Sequence, residues 1–529
     1  MRIAVVGATG NTGTAVLRDL HHRPEVTSLV GIARRLPDRD AEPYLHAEWQ
    51  SIDIQFDSSH QALAAAFSGV DAVIHLAWLI QPNSQRDLLR RVNVDGTRRV
   101  LEAAASAGVK RIAVASSVGA YDPVRDDEPR SEDWPTNGIP GSHYSVDKAA
   151  QERVMDAFEA EHPEVSLARL RPGLIFQGTA AAEIQRYFLG TWAPVQVLGV
   201  VRPPLVPLPK GLRVQGVHSA DVATAYAEAV IRGARGAFNI CAEDVLDARQ
   251  ISRVVTGRRR GGRTLPLPAA PLRPLIRAAH RVGLLPADEG WLDMAMRAPL
   301  MDTSRARHEL DWAPRRSATA ALDEILDGLV EGTGTASIPM RPREPGGAEE
   351  AQLPPRDHKI SHQVDALLLR QYMGDHLTGA TAGMKRIEAM ASTYADTRHF
   401  AELAAIADAI RKEHRLLQKV MTRQGFPRPV LAVATSWVAE RAARLKPYGR
   451  PPGHRSPSAL VLELELLATA VTGKLHGWWV LREHAEELGM GEEVFDQLIE
   501  DAEAQTRDLN RIHADVRRTA FRLGQDDPL

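Results

Sequence analysis

Tyr144 and Lys148 stand four residues apart in HYSVDKAAQE, residues 143–152, just after the loop PTNGIPGS. The stretch reads as the start of a helix, where positions i and i+4 share a face. A phenol and an ammonium on one face can act on one molecule. The cation also favours the phenolate, lowering the tyrosine's pKa from about 10 toward the range of a usable acid or base. Such a pair is equally an ordinary feature of a solvated helix, so its meaning depends on what the chain places beside it.

A second stretch, VVGATGNTG, puts Gly7, Gly10 and Gly13 between an apolar strand and the start of a helix. Glycines there permit a tight turn, close approach of backbone to a pyrophosphate, and close helix–strand packing, with the helix N-terminus facing the phosphates. The next strand, SLVGIARR, ends without the acidic residue that would hold a ribose 2′-hydroxyl. It ends instead in Arg34 and Arg35, which suit a 2′-phosphate and tilt the cofactor toward NADP, with NAD still possible. The alternative is that both arginines simply face solvent after a strand.

The elements that must position these residues alternate. RIAVVG, SLVGIA, AVIHLAW, RIAVASS and SLARLRPGLIF read as buried strands, and 12–22, 60–68, 84–107 and 144–161 as helices between them. That alternation predicts an α/β fold, a doubly wound parallel (Rossmann) sheet over residues 1–330 with a small substrate-binding lobe mainly within 176–330. Residues 331–357 are dominated by proline, glycine and charge and read as a flexible linker. Beyond it, 358–525 reads as an all-α helical bundle: apolar residues recur at helical spacing at Val364, Leu368 and Tyr372, at Leu403, Ile406, Ile410 and Leu417, at Leu460, Leu464, Leu467, Val471 and Leu475, and at Phe495, Leu498, Leu509, Ile512 and Val516. A shorter helix is predicted at 430–446.

Several further stretches agree in order and spacing with one family. SIDI carries Asp53 and Ile54; DAVIHLAW carries Leu76 and Ala77; VNVDGTRRVLEAA carries Asn93; VASSVGAY carries Ser117; YSVDK is the Y-x-x-x-K; RLRPGLIF carries Pro172; and VHSADVATA follows. With the glycine turn, these make residues 1 to about 330 resemble the extended short-chain dehydrogenase/reductase family of NAD(P)-dependent epimerases, dehydratases and reductases. The resemblance implies that Tyr144 is the general acid/base at a carbinol or carbonyl oxygen. It also implies that Lys148 lowers the tyrosine's pKa and holds the nicotinamide ribose, that Ser117 hydrogen-bonds the substrate oxygen, and that Asn93 supports the site from behind. Gly7, Thr9, Gly10, Asn11, Thr12, Gly13, Arg34, Arg35, Asp53, Ile54, Leu76, Ala77, Tyr144, Lys148 and Pro172 are then the cofactor-binding residues. The chemistry is hydride transfer at a carbinol or carbonyl carbon. No acid directly follows Ser117, which makes dehydration a poorer fit than reduction, oxidation or epimerisation.

The substrate region is read less sharply. Residues 176–215 hold Tyr187, Phe188 and Trp192 among aliphatics, with Arg186, Arg202, Lys210 and Arg213 as charges. Arg202 or Arg213 could meet a nucleotide-sugar pyrophosphate, while the apolar bias suits a ketone, aldehyde or hydrophobic alcohol. Trp78 either narrows the site or packs. The expected partner is therefore a small carbonyl, alcohol or sugar-derived molecule.

Bulk composition sets the outer limits. At 529 residues the length suggests about two to four domains, and 44% hydrophobic with 25% charged residues is a globular balance. A net charge of −2 gives no electrostatic case for nucleic acid or an anionic membrane, and GRRRGGR, 257–263, reads as a solvated loop. One cysteine, Cys241, excludes an intramolecular disulfide and fits a reducing, cytoplasmic setting. No apolar run is long enough to span a bilayer.

The bundle has no assigned task. A di-iron site would need Glu-x-x-His, which is absent from 359–525. Asp375, Glu413 or His414, Glu463 and His513 fall on or near apolar faces, where they either share one metal or border the face hydrated and ion-paired; no metal is assigned. Trp478 and Trp479 cannot both point to one core centre, which places one of them at an interface and leads to an expected homo-oligomer. The reading is an NAD(P)-dependent oxidoreductase or epimerase, the alternative an NAD(P)-binding sensor or scaffold whose bundle mediates partner binding.

Overall fold

A computed structural model of the chain describes residues 1–81, 85–189, 205–256, 263–281, 285–342, 353–355, 358, 360, 364–395, 397–426, 457–518, 520 and 521. Trp192, Arg202, residues 257–262 of the basic run, and the helix expected at 430–446 lie outside the described residues. The chain divides into two compact units, Met1–Glu344 and Pro345–Leu529.

The first unit is built on seven strands: β1 (Arg2–Val6), β2 (Ser28–Ala33), β3 (Ala47–Ser51), β4 (Ala72–His75), β5 (Arg111–Ala115), β6 (Ser166–Pro172) and, beyond the small lobe, Gly236–Ile240. They pair in parallel, with β3, β2, β1, β4, β5 and β6 running in that order to Gly236–Ile240 at the far edge. The chain therefore reverses its direction of travel across the sheet between β1 and β4. The carboxyl ends of the strands at such a switch point are the usual ligand position in sheets of this kind. Buried on both faces, β1, β4 and β5 are continuous apolar runs, which is why they could be read from sequence. β3 is a half-exposed edge strand, AEWQS, whose polar alternation gave no such signal.

Helices Asn11–His21 and Ser219–Arg232 pack together on one face of the sheet. Ile3, Val5, Val16, Leu20, Tyr226 and Phe238 form a shared core there. Helices Gly96–Ser106 and His143–Glu161 meet each other elsewhere in the unit. Two small sheets make the lobe, one of Leu174–Phe176, Arg213–His218 and Val245–Asp247, the other pairing Leu205–Pro209 with Arg263–Leu267. Helix Ala318–Glu331 ends at Gly332 in the left-handed region.

Composition placed 331–357 in a linker, and its first part behaves otherwise. Residues 332–342 fold back on the first unit: Ser337 Oγ donates to the Thr9 carbonyl (2.8 Å), Thr335 Oγ1 pairs with the Tyr44 hydroxyl (2.8 Å), and Met340 is fully buried. The compact unit accordingly runs to Glu344. Serine and threonine side-chain bonds hold this proline- and glycine-containing stretch as a packed strap, which composition does not encode.

The second unit contains four long helices among its described residues: Ala366–Thr393, Phe400–Arg423, Pro457–Glu483 and Glu492–Arg517. Asp365 caps the first by accepting from the backbone N–H of Leu367 and Leu368. Its buried face is Leu369, Met373 and Leu377, one residue on from the expected Val364–Leu368–Tyr372 stripe, and Leu368 is 62% exposed. The other faces are as read, with Leu403, Ile406, Ile410, Leu460, Leu464, Leu467, Phe495, Leu509 and Ile512 buried. Trp478 is buried and Trp479 is 44% exposed, so the adjacent pair does divide between inside and outside. No helix among the described residues is long and apolar enough to cross a membrane.

Candidate active site

The glycine turn after β1 is held by contacts that leave room only for glycine. Gly7 has φ +86°, and a Cβ there would lie 2.6 Å from the Ala77 backbone nitrogen in the loop after β4. A Cβ on Gly13 would lie 2.3 Å from the Gly7 carbonyl oxygen. Gly13→Ala should therefore destabilise the first unit by about 1–3 kcal/mol through backbone overpacking, read from chemical denaturation. An unchanged midpoint would show that the turn can relax.

At Gly10 the situation reverses. An added Cβ would meet only the Gly7 carbonyl, at 3.7 Å, so the backbone is open to close approach. Open backbone at a helix N-terminus is the fit that a pyrophosphate requires. Thr9 and Thr12 lie in this turn, while the Asn11 side chain is engaged, donating to the Ile175 carbonyl and accepting from Gln177 Nε2 (2.6 Å). Arg34 follows β2 and Asp53 follows β3, their side chains 3.9 Å apart. Burial lowers the Arg34 pKa to about 10, against the opposing charge of Asp53. Ile54 is buried beneath, against Gly96. Arg35 adjoins Glu183 and Tyr187 of the lobe electrostatically, and burial raises the Glu183 pKa to about 7.

Ser117 and Tyr144 meet beyond the end of β5. Ser117 caps a short turn, its Oγ accepting from the Gly119 N–H at 3.0 Å, and its hydroxyl favours the ionised form of the nearby Tyr144 phenol. Helix His143–Glu161 starts at this place because Ser142 caps it, accepting from the Ser145 N–H. Lys148, one turn along and almost wholly buried, donates to the Ala115 carbonyl (2.7 Å) and to Gln151 Oε1 (3.0 Å).

The electrostatics differ from the expectation for Lys148. Burial raises the Tyr144 pKa to about 12, and only the Ser117 hydroxyl works against it. The ammonium lies 3.4 Å from the centre of the Trp78 ring and 6.0 Å from that of Tyr144. In this arrangement its charge is spent on two carbonyl-type oxygens and an indole face, not on the phenol, and burial lowers its own pKa. Asn93, buried in a π-helical turn, fixes the loop that carries Trp78: it accepts from the Leu79 N–H (2.7 Å) and donates to the Leu79 carbonyl (2.9 Å). Leu76 and Ala77 begin that loop, and Pro172 ends β6 against Ile240.

Two aromatic residues join the site that the sequence left unassigned or undecided. Trp291 lies 5.0 Å from the Tyr144 ring and 4.9 Å from Phe188, and Trp78 lies 5.6 Å from Tyr144 on another side. Trp78 and Trp291 flank the phenol with apolar surface, and Phe188 packs on Trp291. Trp291 carried no local signal, being far along the chain in helix Glu289–Arg297. Arg213, considered for a pyrophosphate, is instead tethered to Asp127 and to the carbonyls of Asp126 and Ala298. Among the described residues no three His, Cys, Asp or Glu side chains gather as a metal site. Glu413 pairs with Lys474, His414 with Thr381, and His513 with Glu465.

Fold and site together define the class, a Rossmann-type α/β domain of the extended short-chain dehydrogenase/reductase kind. Residues 3–241 match the NAD dependent epimerase/dehydratase family, and the N-terminal domain belongs to it; the match does not extend into the helical part. Among known proteins, the chain is 25% identical over 268 residues to an uncharacterized protein, y4nG, of Sinorhizobium fredii, covering 50% of this chain and 65% of that one. It is 28% identical over 211 residues to L-arabinose 1-dehydrogenase (NAD(P)(+)) of Haloferax volcanii, covering 36% of this chain and 76% of the relative. A solved structure, the UDP-glucose 4-epimerase of Thermus thermophilus in complex with NAD, is similar at 19% identity and a TM-score of 0.46, over 62% of this chain and 99% of that one.

Proposed function

We propose that the N-terminal unit is an NADP-preferring oxidoreductase or epimerase that acts at a carbinol or carbonyl carbon of a small alcohol, ketone or sugar derivative. The observation that carries the reading is the convergence of Ser117, Tyr144 and Lys148 beyond β5, beside a glycine turn whose backbone is open at Gly10. A nicotinamide dinucleotide, when bound, supplies or accepts the hydride. The chain's own residues do the rest. Backbone N–H groups at the start of helix Asn11–His21 face a pyrophosphate, and Arg34 with Arg35 face the adenosine ribose end. Tyr144, kept protonated by burial, gives its proton to a carbonyl oxygen, and Ser117 orients that oxygen. Trp78, Phe188 and Trp291 exclude water and offer flat faces on which a sugar ring or an apolar body can lie. The relationship to an L-arabinose dehydrogenase supports including aldoses and their derivatives in the substrate screen.

The test is a titration with NADPH and NADH, followed by nicotinamide fluorescence, on the native chain and on Arg34→Ala. Losing one charge-assisted contact to a 2′-phosphate should weaken NADPH by about tenfold or more and leave NADH nearly unchanged. Equal affinities in both proteins would retire the NADP preference, and no binding of either would sink the oxidoreductase reading. Tight binding without turnover would favour a dinucleotide sensor instead. Self-association through the bundle belongs to the same reading, supported by the exposed Trp479.

A further inference from the structure

The helical unit carries a pocket of about 400 Å³, open to solvent on one side, between helices Ala366–Thr393, Phe400–Arg423 and Pro457–Glu483. Its apolar wall includes Ile410, Leu417, Leu467, Val471 and Leu481. Small residues keep it open. A Cβ placed on Gly379 or Gly473, both mid-helix and both at the exposed mouth of the pocket, would meet no atom within 4 Å, and one on Gly383 would meet only the Ala470 Cβ at 3.8 Å. Glycine weakens a helix interior relative to alanine, and neither Gly379 nor Gly473 is required by close packing. What these two positions provide is an unobstructed mouth to the pocket.

One side of the pocket is polar and unevenly satisfied. Lys474 donates to Glu413 and to Gln505, and Gln505 Nε2 donates to the other oxygen of Glu413 (2.7 Å). Two of the three ammonium hydrogens are thereby used. Trp478, 5% exposed and also on the cavity wall, has an indole N–H with no acceptor among the described residues. The wall thus offers two donors in excess. The Lys474–Glu413 pair is neutral as a unit, and Asp375 adds negative charge to the lining, which makes a carboxylate or phosphate a poor guest.

We propose that this cavity binds an uncharged, largely apolar molecule that presents one hydrogen-bond acceptor, a ketone or ether oxygen, to Lys474 and Trp478. The site lies wholly within the helical unit and does not depend on the activity assigned to the N-terminal unit.

The probe is 6-propionyl-2-(dimethylamino)naphthalene, a neutral ketone whose emission moves to the blue when it leaves water, titrated into the full chain. Saturable, blue-shifted binding is expected. Gly473→Leu and Gly379→Leu obstruct the mouth of the pocket where no atom stands in the way, so each should retain native helicity by circular dichroism and weaken the probe by about tenfold or more. The paired change Lys474→Met with Glu413→Gln removes the donor without stranding a buried charge. It should weaken the ketone by about tenfold and leave 2-(dimethylamino)naphthalene, the same ring without the carbonyl, unaffected. Absence of saturable binding to the native chain would overturn the proposal. So would affinity unchanged in both leucine variants, or tighter binding of an anionic naphthalene sulfonate than of the neutral ketone.

Discussion

Tyr144→Phe is expected to lower kcat for carbonyl reduction by about 10²–10⁴-fold, the usual contribution of a positioned general acid, while NADPH affinity stays within about threefold. The substitution removes one oxygen from a ring held between Trp78 and Trp291, so the walls of the site remain. The sign of the pH dependence follows from the phenol's surroundings. Burial raises its pKa to about 12, and the Ser117 hydroxyl offsets only part of that. The protonated form, which reduction needs, therefore persists through neutral and moderately alkaline pH. The reductive kcat should be flat from about pH 6 to 9, whereas the oxidative direction, which needs the phenolate, should rise with pH across the same range. Steady-state rates in both directions on the native chain and the Phe variant are the measurement. A reductive rate that falls with a midpoint near 7 would mean that Lys148 depresses the phenol's pKa after all, as the family resemblance implies. That would require the ammonium to leave the position it holds over the Trp78 ring.

How much of this was legible beforehand depends on whether the information is local. The glycine turn, β1, β2, β4 and β5 are short-range features, a turn that excludes side chains and strands buried on both faces, and each leaves a continuous signature. Ser117 and Tyr144 were placed together by family resemblance, and in the structure Ser117 acts on the Tyr144 phenol from beyond the end of β5. What was not legible is decided at long range. Trp291 reaches Tyr144 only through the fold of the lobe. Residues 332–342 look like a linker in composition, yet Ser337 and Met340 are buried against the glycine turn and Thr14. In the first bundle helix, Leu367, Leu368 and Leu369 are equivalent to any periodicity rule, and packing with Met373 and Leu377 selects Leu369. The direction of the Tyr144 pKa shift is hidden for the same reason. Spacing puts a lysine one turn away, but only the packed structure shows what that lysine faces.

Glu152→Gln should destabilise the first unit by about 3–5 kcal/mol at pH 7, the cost of stranding the buried Arg171 guanidinium by removing its carboxylate partner, while Arg169 keeps Asp156 and Glu159. Glu152 is 1% exposed and joins three elements. Arg171 reaches both its oxygens (2.9 and 3.0 Å), Arg169 donates at 3.0 Å, and Ser116 Oγ donates at 2.5 Å. Burial alone would raise the carboxyl's pKa. The hydrogen bonds and charge of Arg171, with the charge of Arg169 and the Ser116 hydroxyl, outweigh it and bring the value down to about 2. A carboxylate depressed in the folded state stabilises above its unfolded pKa of about 4.3 and loses that contribution as pH falls through the folded value. The gap between native and variant stability should thus be complete above pH 5 and shrink between about pH 4 and 2. Hydrogen exchange of β6 and helix His143–Glu161 reads this locally, without requiring both units to unfold together. Because Ser116 precedes Ser117, loosening here should also cost activity. Adding Arg171→Met, which removes the stranded charge, should restore part of the protection. A gap below about 1 kcal/mol, or one that does not change with pH, would show that the arginines find other partners and that Glu152 does not hold the site together.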